Sequence, residues 1–136
     1  MVEMADLRGK ETVYDLGAGD GRLVVAAKKE HPDIRAIGIE FVPTVWALGK
    51  AYIWYSKQEV EFVCGNVLKR NVSDADCIFL YLIPGLMDKL EKKFDEELKK
   101  GTKVISYAFR FKGRTPVKKI QVPWLGSTRY LNLYEW

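Results

Sequence analysis

Cysteine and histidine are scarce in this sequence, which has two cysteines and one histidine among its 136 residues. Cys64 and Cys77 each lie inside an apolar, strand-like run, where a free cysteine usually behaves as a small buried hydrophobe. Two cysteines and His31, which we interpret as a helix-terminal residue, do not make up a zinc-binding set. We therefore expect no metal site and a reducing, intracellular environment.

Long apolar runs are missing as well. No run reaches the length needed to cross a bilayer, and the N-terminal residues contain no apolar core of signal-peptide length. Internal repeats and low-complexity tracts are also absent from the sequence. The sequence therefore predicts a cytoplasmic protein without a membrane segment, and it leaves the oligomeric state open.

The apolar content that is present suffices for one core, since 48% of the residues are hydrophobic. A chain of 136 residues is short for two domains, so residues 1–136 are predicted to form a single domain. The net charge of +4 and the isoelectric point near 9.0 permit an acidic partner such as nucleic acid without requiring one.

Apolar runs alternate with segments of helical periodicity along most of the chain. Five strands are predicted at residues 12–16, 35–40, 60–64, 76–82 and 103–107, and three helices at 21–30, 43–57 and 85–100. Strands that are apolar on both faces favour a parallel sheet covered by helices. Residues 117–122 and 129–134 are predicted as two further strands, joined through residues 123–127 into an antiparallel ribbon. The predicted fold class is α/β, a Rossmann-like, doubly wound, mostly parallel sheet with an antiparallel C-terminal ribbon.

The predicted helices carry specific packing expectations. In the second helix, Trp46, Trp54 and Tyr55 are expected to pack on the sheet. The third helix is expected to end at Gly101 and to direct its lysines toward water. Trp124 and Trp136 are expected to close the ribbon.

The most informative stretch is residues 15–21, where glycines alternate between the end of a strand and the start of a helix. Bare backbone at such a turn allows a nucleotide-like ligand to approach closely. The dinucleotide fingerprint would need glycine at position 22, where the chain has Arg22, so NAD or FAD is disfavoured. The alternative is a purely structural turn.

Polar residues also follow the next two strands. Glu40 lies roughly twenty residues beyond the glycine loop, where a carboxylate can accept both hydroxyls of a ribose. Asn66 can pair with an adenine edge, because its amide both donates and accepts. Asp15 and Asp20 would repel a phosphate but suit an ammonium group. Together these residues favour S-adenosylmethionine as the ligand, although Glu40 alone can be a helix-capping acid and Asn66 a turn residue.

On these residues the chain resembles the class I, seven-strand S-adenosylmethionine-dependent methyltransferases. Residues 15–21 match their Asp-x-Gly-x-Gly-x-Gly motif, and residues 13–22 and 79–84 are similar to small archaeal protein-lysine methyltransferases and their mitochondrial relatives. The resemblance implies a lysine of a protein substrate as the methyl acceptor. It also implies a set of cofactor-binding residues, which we take as Asp15, Leu16, Gly17, Ala18, Gly19, Asp20, Glu40, Phe41, Asn66, Val67 and Tyr81.

The chain also departs from that family. Residues 66–74 and 108–115 are too short or too polar for the helices that usually follow the third and fifth strands, which predicts a pared-down version of the fold.

Tyr81 is the catalytic candidate, because it ends the fourth strand beside the expected methyl group. It can orient a substrate amine by a hydrogen bond or by its ring face, or it can merely wall the pocket. Tyr107 and Phe109 can likewise complete a channel for a lysine side chain or serve only in packing. Methyl transfer from a sulfonium needs alignment of donor and acceptor, and no dedicated base is expected.

Other functions stay open at this stage. Nucleic acid is a possible substrate that is not favoured, because residues 82–85 lack the Asn/Asp-Pro-Pro-aromatic motif of many such enzymes. A small-molecule methyltransferase is disfavoured by the lack of an inserted substrate-binding region. A donor-binding module that is inactive without a partner is a further alternative. The basic residues 112–119 either grip an acidic partner or form a solvated loop.

Overall fold

The computed structural model describes residues 1–124 and 127–136, without the side chains of residues 124 and 127. The strands are β1 (Thr12–Leu16), β2 (Arg35–Glu40), β3 (Val60–Cys64), β4 (Cys77–Leu80), β5 (Lys103–Tyr107), β6 (Lys118–Trp124) and β7 (Ser127–Glu135). The helices are α1 (Val2–Ala5), α2 (Arg22–Glu30), α3 (Pro43–Ser56) and α4 (Pro84–Glu97).

The strands form one seven-stranded sheet in the order β3-β2-β1-β4-β5-β7-β6. The first five strands of this order are parallel, and β7 runs antiparallel to both β5 and β6. The strand order reverses between β1 and β4, and a crevice opens outside the carboxyl ends of the strands at such a point. The predicted fold class is therefore confirmed, and the place to look for a site is the carboxyl end of β1.

Helices cover the sheet on both faces. On one face α4 packs Met87, Leu90 and Phe94 against the strands, and on the other α1 and α2 bury residues such as Val24. The central strand β1 is almost entirely inaccessible to water because it is covered on both sides. Residues 66–74 and 108–115 contain no helix, in agreement with the pared-down fold that the sequence predicts.

Several predicted boundaries were wrong. Strand β4 is Cys77–Leu80 and not 76–82, because its neighbour β1 ends at Leu16, opposite Leu80, so the residues after Leu80 have no partner on that side. The ribbon strands, predicted at 117–122 and 129–134, are Lys118–Trp124 and Ser127–Glu135. Helix α4 ends at Glu97, where Leu98 already has extended dihedrals, so Gly101 belongs to the following turn and does not cap the helix. Within α4, Lys93 is partly buried and pairs with Glu97, so not every lysine of this helix faces water freely.

The packing predicted for α3 was also largely wrong. Trp54 and Tyr55 are exposed, and the helix buries only Gly49 and Ile53 fully. The reason is that α3 lies over β3, the edge strand of the sheet, and touches it through a narrow stripe. Trp46 does lie at this contact, and its indole N–H donates to the Phe62 carbonyl at 3.1 Å.

The C-terminal ribbon is present as predicted. Trp136 packs edge-on against Phe94 and Phe111, with ring centroids 5.4 and 5.1 Å away, so it closes the core on the α4 side. Of the connection predicted at residues 123–127, residues 125–126 and the side chain of Trp124 lie outside the described residues. None of the described helices has the length and apolar character needed to span a bilayer.

Candidate methyl-donor site

The loop from β1 to α2, residues 17–21, directs its own amides inward. The N–H groups of Gly17 and Ala18 both donate to the Ile39 carbonyl at 2.9 Å, and that of Gly21 donates to the Ala18 carbonyl at 2.8 Å. A loop that cradles phosphate points such groups at its ligand instead. The geometry therefore supports the sequence argument against a phosphate ligand.

All three glycines of this loop have positive φ angles, which favour glycine. Gly17 has a φ of +81° and Gly21 a φ of +77°. A Cβ atom at Gly17 would also lie 2.5 Å from Cδ2 of Leu82, which follows β4. Glycine at position 17 thus lets the loop lie directly against the neighbouring strand end.

Glu40 ties this loop to the end of β2. Its Oε2 accepts the Gly19 N–H at 2.9 Å, and its Oε1 accepts the Val42 N–H, close to the start of α3, at 2.8 Å. Glu40 is therefore a structural acid in its own right, as the capping alternative proposed. Each carboxylate oxygen can accept a second hydrogen bond, so Glu40 can still accept hydrogen bonds from a ligand.

Asp15 lies at the base of the site and is only 4% exposed. Burial, together with the nearby negative charges of Glu40 and Asp20, raises the pKa of its carboxyl to about 7. Within the described part of the chain, no side chain or backbone group donates a hydrogen bond to this carboxyl. A cation that binds beside this carboxyl would stabilise its ionised form.

Asp20 is in a different state from Asp15. Its Oδ2 lies 2.6 Å from Nη2 of Arg22, and the hydrogen bonds from this guanidinium lower the pKa of Asp20. The charge of Asp20 is thus largely balanced within the loop. The uncompensated negative charge of the site comes from Asp15 and Glu40.

Asp15 and the glycine loop line a cavity of about 400 Å³ at the carboxyl end of β1, whereas Glu40 lies behind the loop and does not line it. Its wall consists of loop residues together with Tyr81 and Tyr107 from the ends of β4 and β5, and the full lining is Met1, Asp15, Gly17, Ala18, Gly19, Asp20, Arg22, Leu23, Tyr81 and Tyr107. The two tyrosine rings meet edge to face with centroids 4.9 Å apart. The cavity therefore has an acidic base and an aromatic wall.

The remaining predicted contact residues lie around this cavity but do not line it. Leu16 and Val67 are buried in the core on the α4 face, and Phe41 is exposed just after β2. The Oδ1 atom of Asn66 accepts the Leu68 N–H at 2.9 Å, which is the turn geometry that the sequence left open. Asn66 follows β3, two strands away from β1 in the sheet order.

Three residues of the cavity lining were not predicted as contacts, and for a fourth, Tyr107, the sequence allowed either a channel or a packing role. Arg22 and Leu23 lie in the first turn of α2, and their position at the start of that helix was a signal that could have identified them. Met1 has no such signal, because only the three-dimensional packing of α1 brings it there. Tyr107 lines this cavity, whereas Phe109 lines a separate cavity of about 560 Å³.

Among the described residues, no cluster of three or more His, Cys, Asp or Glu side chains is arranged to hold a metal ion.

Sequence comparison places this geometry in a family. Residues 15–118 match the family model of the ANTKMT methyltransferase domain. The chain belongs to this family. A protein-lysine N-methyltransferase of Saccharolobus islandicus (strain REY15A) is 32% identical over 126 residues, which cover 90% of this chain and 77% of the relative.

Some relatives are longer than this chain. The adenine nucleotide translocase lysine N-methyltransferase of Mus musculus is 31% identical over 115 residues, which are 82% of this chain and 49% of the mouse protein. The chain therefore spans about half the length of that relative.

Solved structures agree with the family assignment. An RNA methyltransferase from Salinibacter ruber, in complex with S-adenosyl-L-homocysteine, superimposes with a TM-score of 0.85 at 32% identity. The match covers 97% of this chain and 86% of the Salinibacter chain. The predicted membership of a class I methyltransferase family is thus confirmed, and the chain is a methyltransferase domain.

Proposed function

We propose that this protein is an S-adenosylmethionine-dependent methyltransferase that transfers the methyl group to the side-chain amine of a lysine in a protein substrate. The observation that carries the proposal is the cavity at the end of β1, which has a buried carboxyl at its base, an aromatic wall and a glycine loop whose Gly17, Ala18 and Gly21 amides donate to backbone carbonyls. The proposal is supported further by the family and by the name of the archaeal relative.

The donor residues act through charge and hydrogen bonding. In this proposal Asp15 holds the cationic amino acid part of the donor, which is supported by a buried carboxyl without a partner among the described groups. Glu40 accepts the ribose hydroxyls with the acceptor capacity that its two backbone contacts leave. Phe41 and Asn66 follow β2 and β3 and belong to the adenine side in this proposal. The donor supplies a methyl group on a sulfonium, which is already activated for displacement.

The acceptor side depends on alignment. The neutral lysine nitrogen attacks the methyl carbon in line with the carbon–sulfur bond, whose electron pair stays on sulfur, and the product ammonium then releases its proton to solvent. Tyr81 and Tyr107 flank the cavity and present aromatic surface on which the lysine side chain can lie. Tyr81 is 58% exposed, so its hydroxyl is accessible for orienting an incoming amine.

The test is a transfer assay with donor labelled in its methyl group. The purified protein is incubated with the labelled donor and cell extract, and the products are treated with nuclease or protease and then hydrolysed. We expect label that survives nuclease, disappears with protease and appears as methyllysine.

Matched variants connect this activity to the site. Glu40→Ala is expected to weaken donor binding by about 1–3 kcal/mol, because it removes the charged acceptor of the ribose. Glu59→Ala, at an exposed glutamate just before β3, is the control and should bind the donor as the wild type does. Equal affinity of the two variants would remove Glu40 from the site.

Methylation of RNA is the second candidate, because the Salinibacter neighbour bears the name RNA methyltransferase. The net charge of +4 is compatible with such a substrate. In the same assay, label that disappears with nuclease would favour RNA over protein. Donor binding without any transfer would favour a module that needs a partner.

A cytoplasmic location and a single domain over residues 1–136 belong to the proposal as well. Both are supported by features of the chain: Cys64 and Cys77 are free thiols, and all seven strands join one sheet.

A further inference from the structure

Helix α3 exposes an unusual amount of apolar surface. Trp54 is 82% exposed, Tyr55 79% and Leu48 70%, although all three belong to a helix that packs on the sheet. Phe41, which is 68% exposed, extends the same surface beyond the start of the helix. We call the following set the α3 apolar face: Phe41, Val42, Leu48, Tyr52, Trp54 and Tyr55.

Helical geometry explains how this face arises. Gly49 and Ile53 are four residues apart and lie on the side of α3 that contacts the sheet. Ala47, Ala51 and Trp54 lie on the opposite side, where a helix at the edge of a domain normally carries charged residues. An apolar face of this kind marks an interaction site.

The charged residues within the segment 41–57 have one sign. Residues 41–57 include Lys50 and Lys57 and no acidic residue. Both lysines are exposed, and neither forms an ion pair with any group that the structure describes. The face therefore combines exposed aromatic rings with uncompensated positive charge along one flank.

We propose that the α3 apolar face binds the surface of a bilayer that contains anionic lipids. Tryptophan and tyrosine concentrate at the interface between headgroups and acyl chains, and lysine side chains reach the phosphates from there. A helix of 14 residues is about 21 Å long, too short to cross the hydrocarbon core, so it lies in the plane of the interface.

A second copy of the chain fits this face less well. In a two-fold contact the same surface meets itself, so Lys50 and Lys57 would face a surface that has lysines and no carboxylate. Anionic headgroups supply the missing negative charge, which is why we favour the bilayer as the occupant.

The α3 apolar face begins one residue from the methyl-donor loop, since Phe41 directly follows Glu40, whose carboxylate accepts the N–H of Gly19 in the cavity lining. A protein held to a bilayer by α3 would therefore keep this edge of the cavity close to the lipid surface. Lipid binding needs no methyl donor, so it does not rest on the proposed function.

The experiment is sedimentation of the purified protein with vesicles of phosphatidylcholine, with or without phosphatidylserine. We expect binding to the mixed vesicles, weaker binding to phosphatidylcholine alone, and loss of binding at high salt. Lys50→Gln combined with Lys57→Gln should lower the partition coefficient about 25-fold, since each lysine near an anionic surface contributes a factor of about five. The control, Lys89→Gln combined with Lys92→Gln, removes the same charge from exposed positions of α4 on the other face of the sheet.

Further variants test the apolar part. Trp54→Ser combined with Tyr55→Ser should abolish sedimentation, whereas Val117→Ser, at an exposed apolar residue just before β6, should leave it unchanged. Brominated lipids should quench the tryptophan fluorescence of the wild type more than that of Trp54→Phe. Absence of vesicle binding, or binding that the α3 variants do not alter, would overturn the proposal. A further contrary outcome is a dimer that forms through this face. In that case sedimentation equilibrium would show a dimer for the wild type and a monomer for Trp54→Ser, and the wild type would not bind vesicles.

Discussion

Replacing Asp15 with asparagine should make the protein more stable and a poorer binder of its donor at the same time. The carboxyl of Asp15 is buried at the end of β1 and has a pKa of about 7, chiefly because burial disfavours its charge. Asparagine has nearly the same shape without the titrating proton. The variant therefore isolates the effect of a buried charge.

The magnitude follows from the difference between the folded and unfolded states. An unfolded aspartate has a pKa of about 4, so between about pH 4 and pH 7 the unfolded chain ionises while the folded protein keeps its proton. Each rise in pH over this range favours the unfolded state. With 1.36 kcal/mol for each tenfold change in proton affinity, Asp15 lowers the unfolding free energy by on the order of 4 kcal/mol once the pH exceeds about 7.

The donor has the opposite pH dependence. A cationic group beside Asp15 favours its ionised form, so binding below about pH 7 releases a proton from the protein. Donor affinity should therefore rise by up to about tenfold per pH unit as the pH approaches 7, and Asp15→Asn should abolish this rise.

Chemical denaturation and calorimetric titration at pH values from about 5 to about 8 measure both effects. The matched control is Asp33→Asn, which removes an exposed aspartate and should change neither profile. Two results would contradict this reasoning. In the first, Asp15→Asn is no more stable than the wild type at pH 8. In the second, the donor affinity of the variant still rises with pH, so the buried carboxyl of Asp15 does not bind the donor.

Three further substitutions test other contacts of the structure. Glu40→Gln leaves one of its two backbone N–H groups without an acceptor and should lower the unfolding free energy by about 1–3 kcal/mol, measured by urea denaturation, while the exposed Glu59→Gln does not. Gly17→Ala should cost about 1–2 kcal/mol from its left-handed conformation alone and weaken donor binding, whereas Gly85→Ala, where no atom is near, should leave thermal unfolding unchanged or raise its midpoint. Asn132 is fully buried with no hydrogen bond to its amide among the described residues, so Asn132→Leu should stabilise by about 1–3 kcal/mol; a lower melting temperature would show that this amide has a partner.

Strands β1, β2 and β5 could be predicted from the sequence because their central residues are buried, so that an apolar run between polar turns leaves little choice of limits. The edge strand β3 also has the predicted bounds, although only Phe62 in it is buried. The glycine loop was equally clear, because the positive φ angle at Gly17 restricts that position to glycine. Strand bounds and glycine turns depend on local backbone geometry, which can be predicted from the types of residue in the segment itself.

The surface of α3 could not be predicted in the same way. Its apolar periodicity indicates a helix but does not say how much sheet lies beneath it, and β3 turns out to be the edge strand. A helix over an edge strand contacts the sheet closely at a few positions, such as Gly49 against Phe62. Residues on its other side, such as Trp54, stay exposed to water. Strand order is a property of the whole chain, so the exposure of an individual helix face cannot be deduced from its own sequence.

The same distinction explains why the donor half of the site was easier to predict than the acceptor half. Asp15 and Gly17 lie where β1 passes into its loop, and Glu40 ends the adjacent strand β2 at the chain distance that a β-α-β unit predicts, so the sequence spacing already indicates that they lie together. The aromatic wall instead requires Tyr81 and Tyr107 to meet across two parallel strands, and their contact depends on the register of β4 with β5. An acceptor site built from contacts between strands can change with single substitutions while the donor loop stays intact. The residues that select the substrate are therefore best sought at the ends of β4 and β5.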